Sequence, residues 1–253
     1  MKIASWNVNS IRVRLDQVLE WLETAQPDVL GLQEIKVPDD KFPIDAFTSR
    51  GYKCAVNGQK TYNGVALLSR KPADGLVCEL PDFTDEQRRV VAATINNCRV
   101  INLYVPNGQS VDSDKYHYKL NWLEALHKWL RRELATHEQV VVMGDFNIAP
   151  DDRDVHDPQE WAGKVLCSEP EREALQGIAA LGLKDSFRLF EQPAEKFSWW
   201  DYRAAGFRRN RGLRIDLLLV SDAVAKNCRR SDIDIEPRKL DRPSDHAPVW
   251  IEF

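Results

Sequence analysis

A chain of 253 residues, 43% hydrophobic and 29% charged, is long enough to bury a sizeable core, and this balance excludes the fibrous and disordered classes. A formal net charge of -4 excludes a global field that draws the protein onto nucleic acid, so any such surface must be a local basic patch. Five widely spaced cysteines without a CxxC pair fit neither a disulfide framework nor a zinc site and read as the reduced thiols of a cytoplasmic protein.

The chain opens on MKIASWNVNS, where the apolar run is too short for a signal segment, and KIASWNV reads as a first strand. Ser10 is placed to N-cap a helix whose Ile11, Leu15, Val18, Leu19 and Leu22 share one face and which ends before Pro27. DVLGLQE, GVALLSR, VVAATI and RVINLYVP follow as strands. A second helix is expected from about Ser113 to Leu134, with Leu123, Leu126, Leu130 and Leu134 as its stripe and Trp122 and Trp129 beside it. After the strand QVVVMGDF, a third helix near Glu169 to Leu181 should stop at Gly182 as its C′ residue, before the strands RIDLLLVS and PVWIEF.

Several runs are apolar throughout rather than alternating, as strands covered on both faces must be. The expected fold is therefore α/β, a four-layered sandwich of two stacked mixed sheets flanked by helices. No repeat, low-complexity tract or Gly/Ser linker interrupts it, so one domain is expected over residues 1–253. No stretch approaches the roughly 20 apolar residues of a membrane span.

Polar residues punctuate the ends of these runs. IASW leads into Asn7, VLGLQ into Glu34, INLY into Tyr104 and Asn107, and VVVMG into Asp145 and Asn147; Asp216 opens LLLV, and Asp245 and His246 precede PVWIEF. Acids and amides at strand ends commonly build active sites, although a single Asp or Asn beside a strand is more often a turn former or cap. The segment Phe207 to Arg214 carries Arg208, Arg209, Arg211 and Arg214 close to Trp199, Trp200 and Tyr202. It reads either as a solvated loop or as a clamp on a phosphate backbone, and the acids and amides around it favour the clamp. Lys36, Lys115 and Lys119 are further candidates for that surface. The acid-rich loop from Pro150 to Ser168, with His156, Trp161 and Leu166, is a candidate gate.

Taken together, WNVNSIR, LQEIK, NGVALLS, YVPNG, GDFNIAP, DYR, RGLRIDLLLVS and PSDHAPV run in this order from Trp6 to Val249. They resemble exonuclease III and the abasic-site endonucleases of the exonuclease-endonuclease-phosphatase superfamily. GDFN and SDH are shared across much of that superfamily, whereas LQEIK with YVPNG and RGLRIDLLLVS is more specific to its DNA-repair branch.

The resemblance implies a nuclease that cuts duplex DNA at abasic sites, nicks and blocked 3′ ends; nothing in the sequence suggests an obligate interface, so a monomer is expected. It implies Glu34 as the principal Mg²⁺ ligand, with Mn²⁺ able to substitute, and Asn7, Asp245, Asp145 and Asn147 in the same oxygen-rich site. Asp145, helped by Asn147, would bind, orient or deprotonate the attacking water. His246 would contact the phosphate under the control of Asp216, and Tyr104 and Asn107 would supply hydroxyl and amide donors to its oxygens. Trp199 and Leu213 match the walls of the family's pocket for a flipped abasic sugar. Two other classes remain open: another phosphoesterase of the superfamily, against which LQEIK, YVPNG and RGLRID stand, and an inert binding module, against which the intact acids, amides and histidine stand.

Overall fold

Strands that are apolar on both faces need partners above and below, and the computed structural model, which describes residues 1–253, supplies them by stacking two six-stranded sheets. In chain order the strands are β1 (Lys2–Asn7), β2 (Val29–Gln33), β3 (Lys53–Asn57), β4 (Val65–Ser69), β5 (Asp74–Val77), β6 (Val90–Ile95), β7 (Cys98–Tyr104), β8 (Gln139–Asp145), β9 (Leu183–Asp185), β10 (Trp199–Trp200), β11 (Gly212–Leu213), β12 (Asp216–Ser221), β13 (Arg230–Ile233) and β14 (Val249–Glu252). The helices are α1 (Ile11–Ala25), α2 (Ile44–Thr48), α3 (Asp114–Thr136), α4 (Pro158–Trp161), α5 (Glu169–Ala179) and α6 (Asp222–Ala225).

The first sheet has the order β13-β14-β1-β2-β4-β3 and the second β5-β6-β7-β8-β12-β9, while β10 and β11 form a separate ribbon. Within each sheet one pair is parallel, β1 with β2 and β7 with β8, and the other neighbours are antiparallel. Both sheets are thus mixed, as expected.

The alternation of strand faces explains the continuous apolar runs. In β8, Val141 and Met143 enter the layer between the sheets with Ile3, Val29, Leu67 and Leu218. Val140 and Val142 face the other way, onto Leu126, Trp129 and Leu130 of α3 and Ile178 of α5. The outer face of the first sheet, with Ala4, Trp6, Leu30 and Leu32, is covered by Ile11, Val18, Trp21 and Leu22 of α1. The layers are therefore helix, sheet, sheet, helix.

Polar side chains also bridge the two sheets. Asn102 of β7 donates to Leu32 O and Ala66 O, both at 3.0 Å, and its Oδ1 accepts from Gln33 Nε2 at 2.5 Å. The approach requires glycine opposite, since a Cβ on Gly31 would lie 2.6 Å from Asn102 Oδ1.

Helix boundaries differ from expectation in three places. Ser10 occupies the N-cap position of α1, but its side chain makes no cap bond; its φ of 92° turns its N–H to Glu34 O at 2.8 Å instead, tying the helix to the end of β2. Helix α3 starts where Ser113 accepts from Tyr116 N and runs on to Thr136. Helix α5 opens on a Ser168–Glu171 capping box and ends at Ala179, short of Leu181, because the chain leaves through tighter turns before Gly182 at φ 106°. No helix is long and apolar enough to cross a membrane.

Candidate active site

Strand register brings the polar punctuation marks together. Parallel pairing of β7 with β8 sets Tyr104 opposite Asp145, and antiparallel pairing of β8 with β12 sets Asp145 opposite Asp216. The second sheet thus presents three functional side chains on adjacent strands. From the first sheet, Asn7 at the end of β1 lies opposite Gln33, next to Glu34, and His246 arrives just before β14. Glu34 adopts φ 50° and Asn147 φ 49°, left-handed conformations that a non-glycine residue takes only where the surroundings enforce them.

Asn7 joins the sheets by donating from Nδ2 to Glu34 Oε1 and to Asp145 Oδ2, each at 2.9 Å. The Asn147 N–H holds Asp145 Oδ1 at 2.9 Å. One ligand atom from each of Glu34, Asp145 and His246 lies within 4.8 Å of the others. Burial raises the Asp145 carboxyl well above its usual range, against the opposing charge of His246. Burial of Tyr104, reinforced by Glu34 and Asp145, likewise keeps its hydroxyl protonated.

His246 is buried, and burial by itself favours the neutral ring. The carboxylates of Asp216 and Asp145 outweigh it and hold the imidazole above its ordinary value, so that it stays cationic near neutral pH. Nδ1–H donates to Asp216 Oδ2 at 2.9 Å, and Nε2 lies 3.7 Å from Asp145 Oδ2. Asp216 is itself fixed by Ser198 Oγ at 2.7 Å. A cationic ring is a donor and not a metal ligand, which leaves the hard oxygens of Glu34 and Asp145 as the donor set suited to a divalent ion; the expected ligand Asn7 instead turns its Nδ2 to these carboxylates while its Oδ1 accepts from Asn9 N at 3.0 Å.

Not every expected residue joins this cluster. Asp245 is turned aside: its two oxygens accept from Asn9 Nδ2 at 2.9 Å and Trp199 Nε1 at 3.0 Å. Burial acts to raise its pKa, but His246 and these bonds prevail and keep it below the usual carboxylate range. The Asn147 side chain is committed to Val105 O and to Asn107 Nδ2, both at 3.0 Å. It supports Asp145 and Asn107 from behind. Lys36 does reach the site, 2.8 Å from Glu34 Oε2.

Lys119 corrects the expectation of a surface lysine, for it is fully buried and its ammonium is used inside the protein, on Asn107 O, Asn147 O and Glu171. Leu213 is also fully buried, packed against Ala149, Val155, Leu166 and Ile215, so the expected pocket wall is left to Trp199, its half-buried partner in the ribbon. Arg214 leaves the expected basic patch for an interior pair with Asp154 and Asp185, each at 2.6 Å.

Arg208, Arg209 and Arg211 are exposed, although Arg211 is paired with Glu160 at 2.6 Å. Lys115 stands on a cleft of about 710 Å³ that leads away from the acids past Tyr104 and Asn107. Trp161 of the gate loop and Trp199 border a smaller pocket of about 210 Å³.

Two neighbours were not singled out in the sequence. Arg89 stacks its guanidinium 4.8 Å from the Tyr104 ring and donates to Tyr104 O at 3.1 Å. Asn9 links Lys36 to Asp245. Arg89 sits in an ordinary charged turn before a strand, and only its spatial partner distinguishes it; Asn9 lies within the WNVNS block beside Asn7.

A model of the endonuclease/exonuclease/phosphatase family matches residues 4–246. Exodeoxyribonuclease III of Haemophilus influenzae is 39% identical over 266 residues, with all of both chains covered. The solved structure of the 3′ phosphatase NExo from Neisseria, bound to a product DNA hairpin, is 48% identical with a TM-score of 0.98, covering 100% of this chain and 99% of that one. An AP endonuclease from Archaeoglobus fulgidus is 38% identical with a TM-score of 0.96, again covering 100% of this chain and 99% of its own.

Proposed function

The chain belongs to the endonuclease/exonuclease/phosphatase family, and from that premise we propose that it is a DNA-repair nuclease hydrolysing phosphodiesters of duplex DNA at abasic sites and at 3′ ends, as a monomer in the cytoplasm. The observation that carries this reading is the convergence, from both sheets, of Glu34, Asp145 and His246 within 4.8 Å beside a cleft lined by Tyr104, Asn107, Arg89 and Lys115. Its five free thiols suit a reducing compartment.

The reaction needs an aimed water, a sink for its proton, and positive charge or donors where the phosphate and the leaving 3′ oxygen gain charge. Asp145, buried and oriented by the Asn147 N–H and by Asn7, is the acceptor for the proton of water. His246, held cationic by Asp216, donates from Nε2 to a non-bridging phosphate oxygen. Tyr104, kept neutral, and the second amide proton of Asn107 supply further donors from the cleft side.

Glu34 and Asp145, held together by the Asn7 amide N–H groups, would hold Mg²⁺, or Mn²⁺ in its place. When bound, that ion supplies charge neutralisation for the phosphate and the leaving oxygen. Arg208, Arg209 and Arg211 are assigned to the phosphate backbone beyond the site. A reading weighted towards 3′ ends over abasic sites is favoured by the 48% identity to a 3′ phosphatase and by the withdrawal of Leu213 from the sugar pocket.

A divalent-metal series on matched abasic, nicked and 3′-phosphate duplexes, with an inositol phosphate and a phospholipid as controls, tests the proposal. DNA turnover that needs added Mg²⁺ or Mn²⁺, with no turnover of the controls, is expected. Preference for a control places the chain in another branch of the family, and no turnover at all indicates a binding module.

A further inference from the structure

Lys119 lies where α3, the segment after β7 and the segment after β8 meet, with no exposure to solvent. Its three ammonium protons are all used: on Asn107 O at 3.1 Å, on Asn147 O at 2.7 Å and on Glu171 Oε1. Glu171, equally buried, accepts from Leu166 N at 3.1 Å on the same oxygen, and from Ser168 N at 3.1 Å and Ser168 Oγ at 2.5 Å on the other. The lysine stem passes beneath Gly108, where an added Cβ would lie 3.2 Å from Lys119 Cδ.

Taking both charges out of water is costly, and apolar side chains of similar volume hold a core as firmly or more so. The pair therefore earns no explanation from stability; what it does uniquely is to fix two carbonyls. Those belong to Asn107, a phosphate-side donor, and to Asn147, which sits at φ 49° with its N–H on Asp145 Oδ1. The two asparagines also hydrogen-bond each other, Nδ2 of Asn107 to Oδ1 of Asn147 at 3.0 Å.

We propose that Lys119 is a positioning residue: with Glu171 it fixes the backbones of Asn107 and Asn147, sets the alignment of Asp145 and the Asn107 amide on the phosphate, and ties that alignment to the Leu166–Ser168 end of the gate loop. This inference rests on the phosphodiesterase reading above.

Three proteins test it on a 3′-phosphate duplex at saturating Mg²⁺. Lys119→Met leaves the Glu171 carboxylate buried without its partner, so both Tm and kcat should fall. Lys119→Met/Glu171→Gln removes both charges while keeping a capping-box side chain for Ser168, so Tm should return towards wild type. In that double variant kcat should stay at least tenfold low with KM within threefold of wild type. Recovery of kcat in step with Tm would make the pair purely structural and overturn the proposal. If Tm does not recover, Lys119→Arg decides, because it keeps the charge but spreads the donors over a rigid plane: a tenfold lower kcat at unchanged KM supports positioning, and a wild-type kcat refutes it. An inactive wild type on every DNA substrate would instead remove the functional reading, which separates the two failures.

Discussion

Trp199 and Trp161 meet edge to face, their ring centroids 6.4 Å apart and their planes at 89°, and the Trp199 indole N–H holds Asp245. This single side chain thus joins the gate loop to the edge of the catalytic cluster. If it forms the wall for a flipped abasic sugar, Trp199→Ala should depress abasic-site incision several-fold more than 3′-phosphate removal, which needs the acids but less of the wall. Parallel rates on the two substrates, with folding checked by melting, measure the ratio; equal losses would make Trp199 a support of the cleft. At this scale Glu34, Asp145, Asp216 and His246 stood out because strand-end positions coincide with the ordered motif blocks LQEIK, GDFN, RIDLLLVS and SDH, which carry the family resemblance; strand-end position alone would have left each as a turn former or cap. Lys119 was not, because its partner Glu171 is 52 residues away, and a lysine three residues from Tyr116 on a helix looks solvated until its neighbours are known. For Asp245, adjacency to His246 places it near the site, but which way its carboxylate turns depends on Asn9 and Trp199, far away in sequence.

The elements that periodicity identified are mostly those buried on both sides, β1, β2, β4, β6, β7, β8 and β12, since their partners demand unbroken apolar runs; β14, with Val249 and Ile251 buried but Glu252 exposed, was identified with them. The shorter strands escaped it. Strand β5 is largely exposed, β13 mixes Arg and Asp with its buried residues, and β9 has three residues, so pairing and not side-chain pattern defines them. Between the sheets, Asn102→Ala removes two donated bonds and one accepted bond in the interior, a loss of about 1–3 kcal/mol. For a chain of this size that lowers Tm by about 2–4 °C per kcal/mol. An unchanged Tm would show that the inter-sheet bridge carries no stability. The segment linking β10 to β11 carries the exposed arginines, and DNA affinity should fall with rising salt despite the sequence pI of about 5.8. Arg208, Arg209 and Arg211 changed together to Ala should flatten the log–log salt slope by about two, given a slope of roughly 0.9 per phosphate neutralised and an Arg211 already paired with Glu160. An unaltered slope would move the DNA surface elsewhere.

For the molecule as a whole, the sandwich keeps its thiols quiet. Burial pushes Cys98 up to about 12, and Cys54 and Cys167 to about 11. Because the thiolate is the reactive species, a raised value means less of it at pH 8, and iodoacetamide should label these three slowly in the native protein and rapidly once it is unfolded. Fast native labelling would contradict their packing. The same sandwich turns an acidic protein into a site for a polyanion by collecting strand ends from both sheets at one edge, where Glu34 faces Asp145 and His246. Glu34→Ala is the most direct probe of that centre, because it removes the carboxylate proposed to hold the metal and leaves the proposed phosphate-side donors Tyr104, Asn107 and His246 in place. Single-turnover cleavage of a 3′-phosphate duplex by wild type and Glu34→Ala at limiting Mg²⁺, with duplex binding measured in parallel, should show the rate down by about 100-fold or more, partial recovery at excess Mg²⁺, and affinity within threefold of wild type; a variant that turns over normally at limiting Mg²⁺ would contradict it.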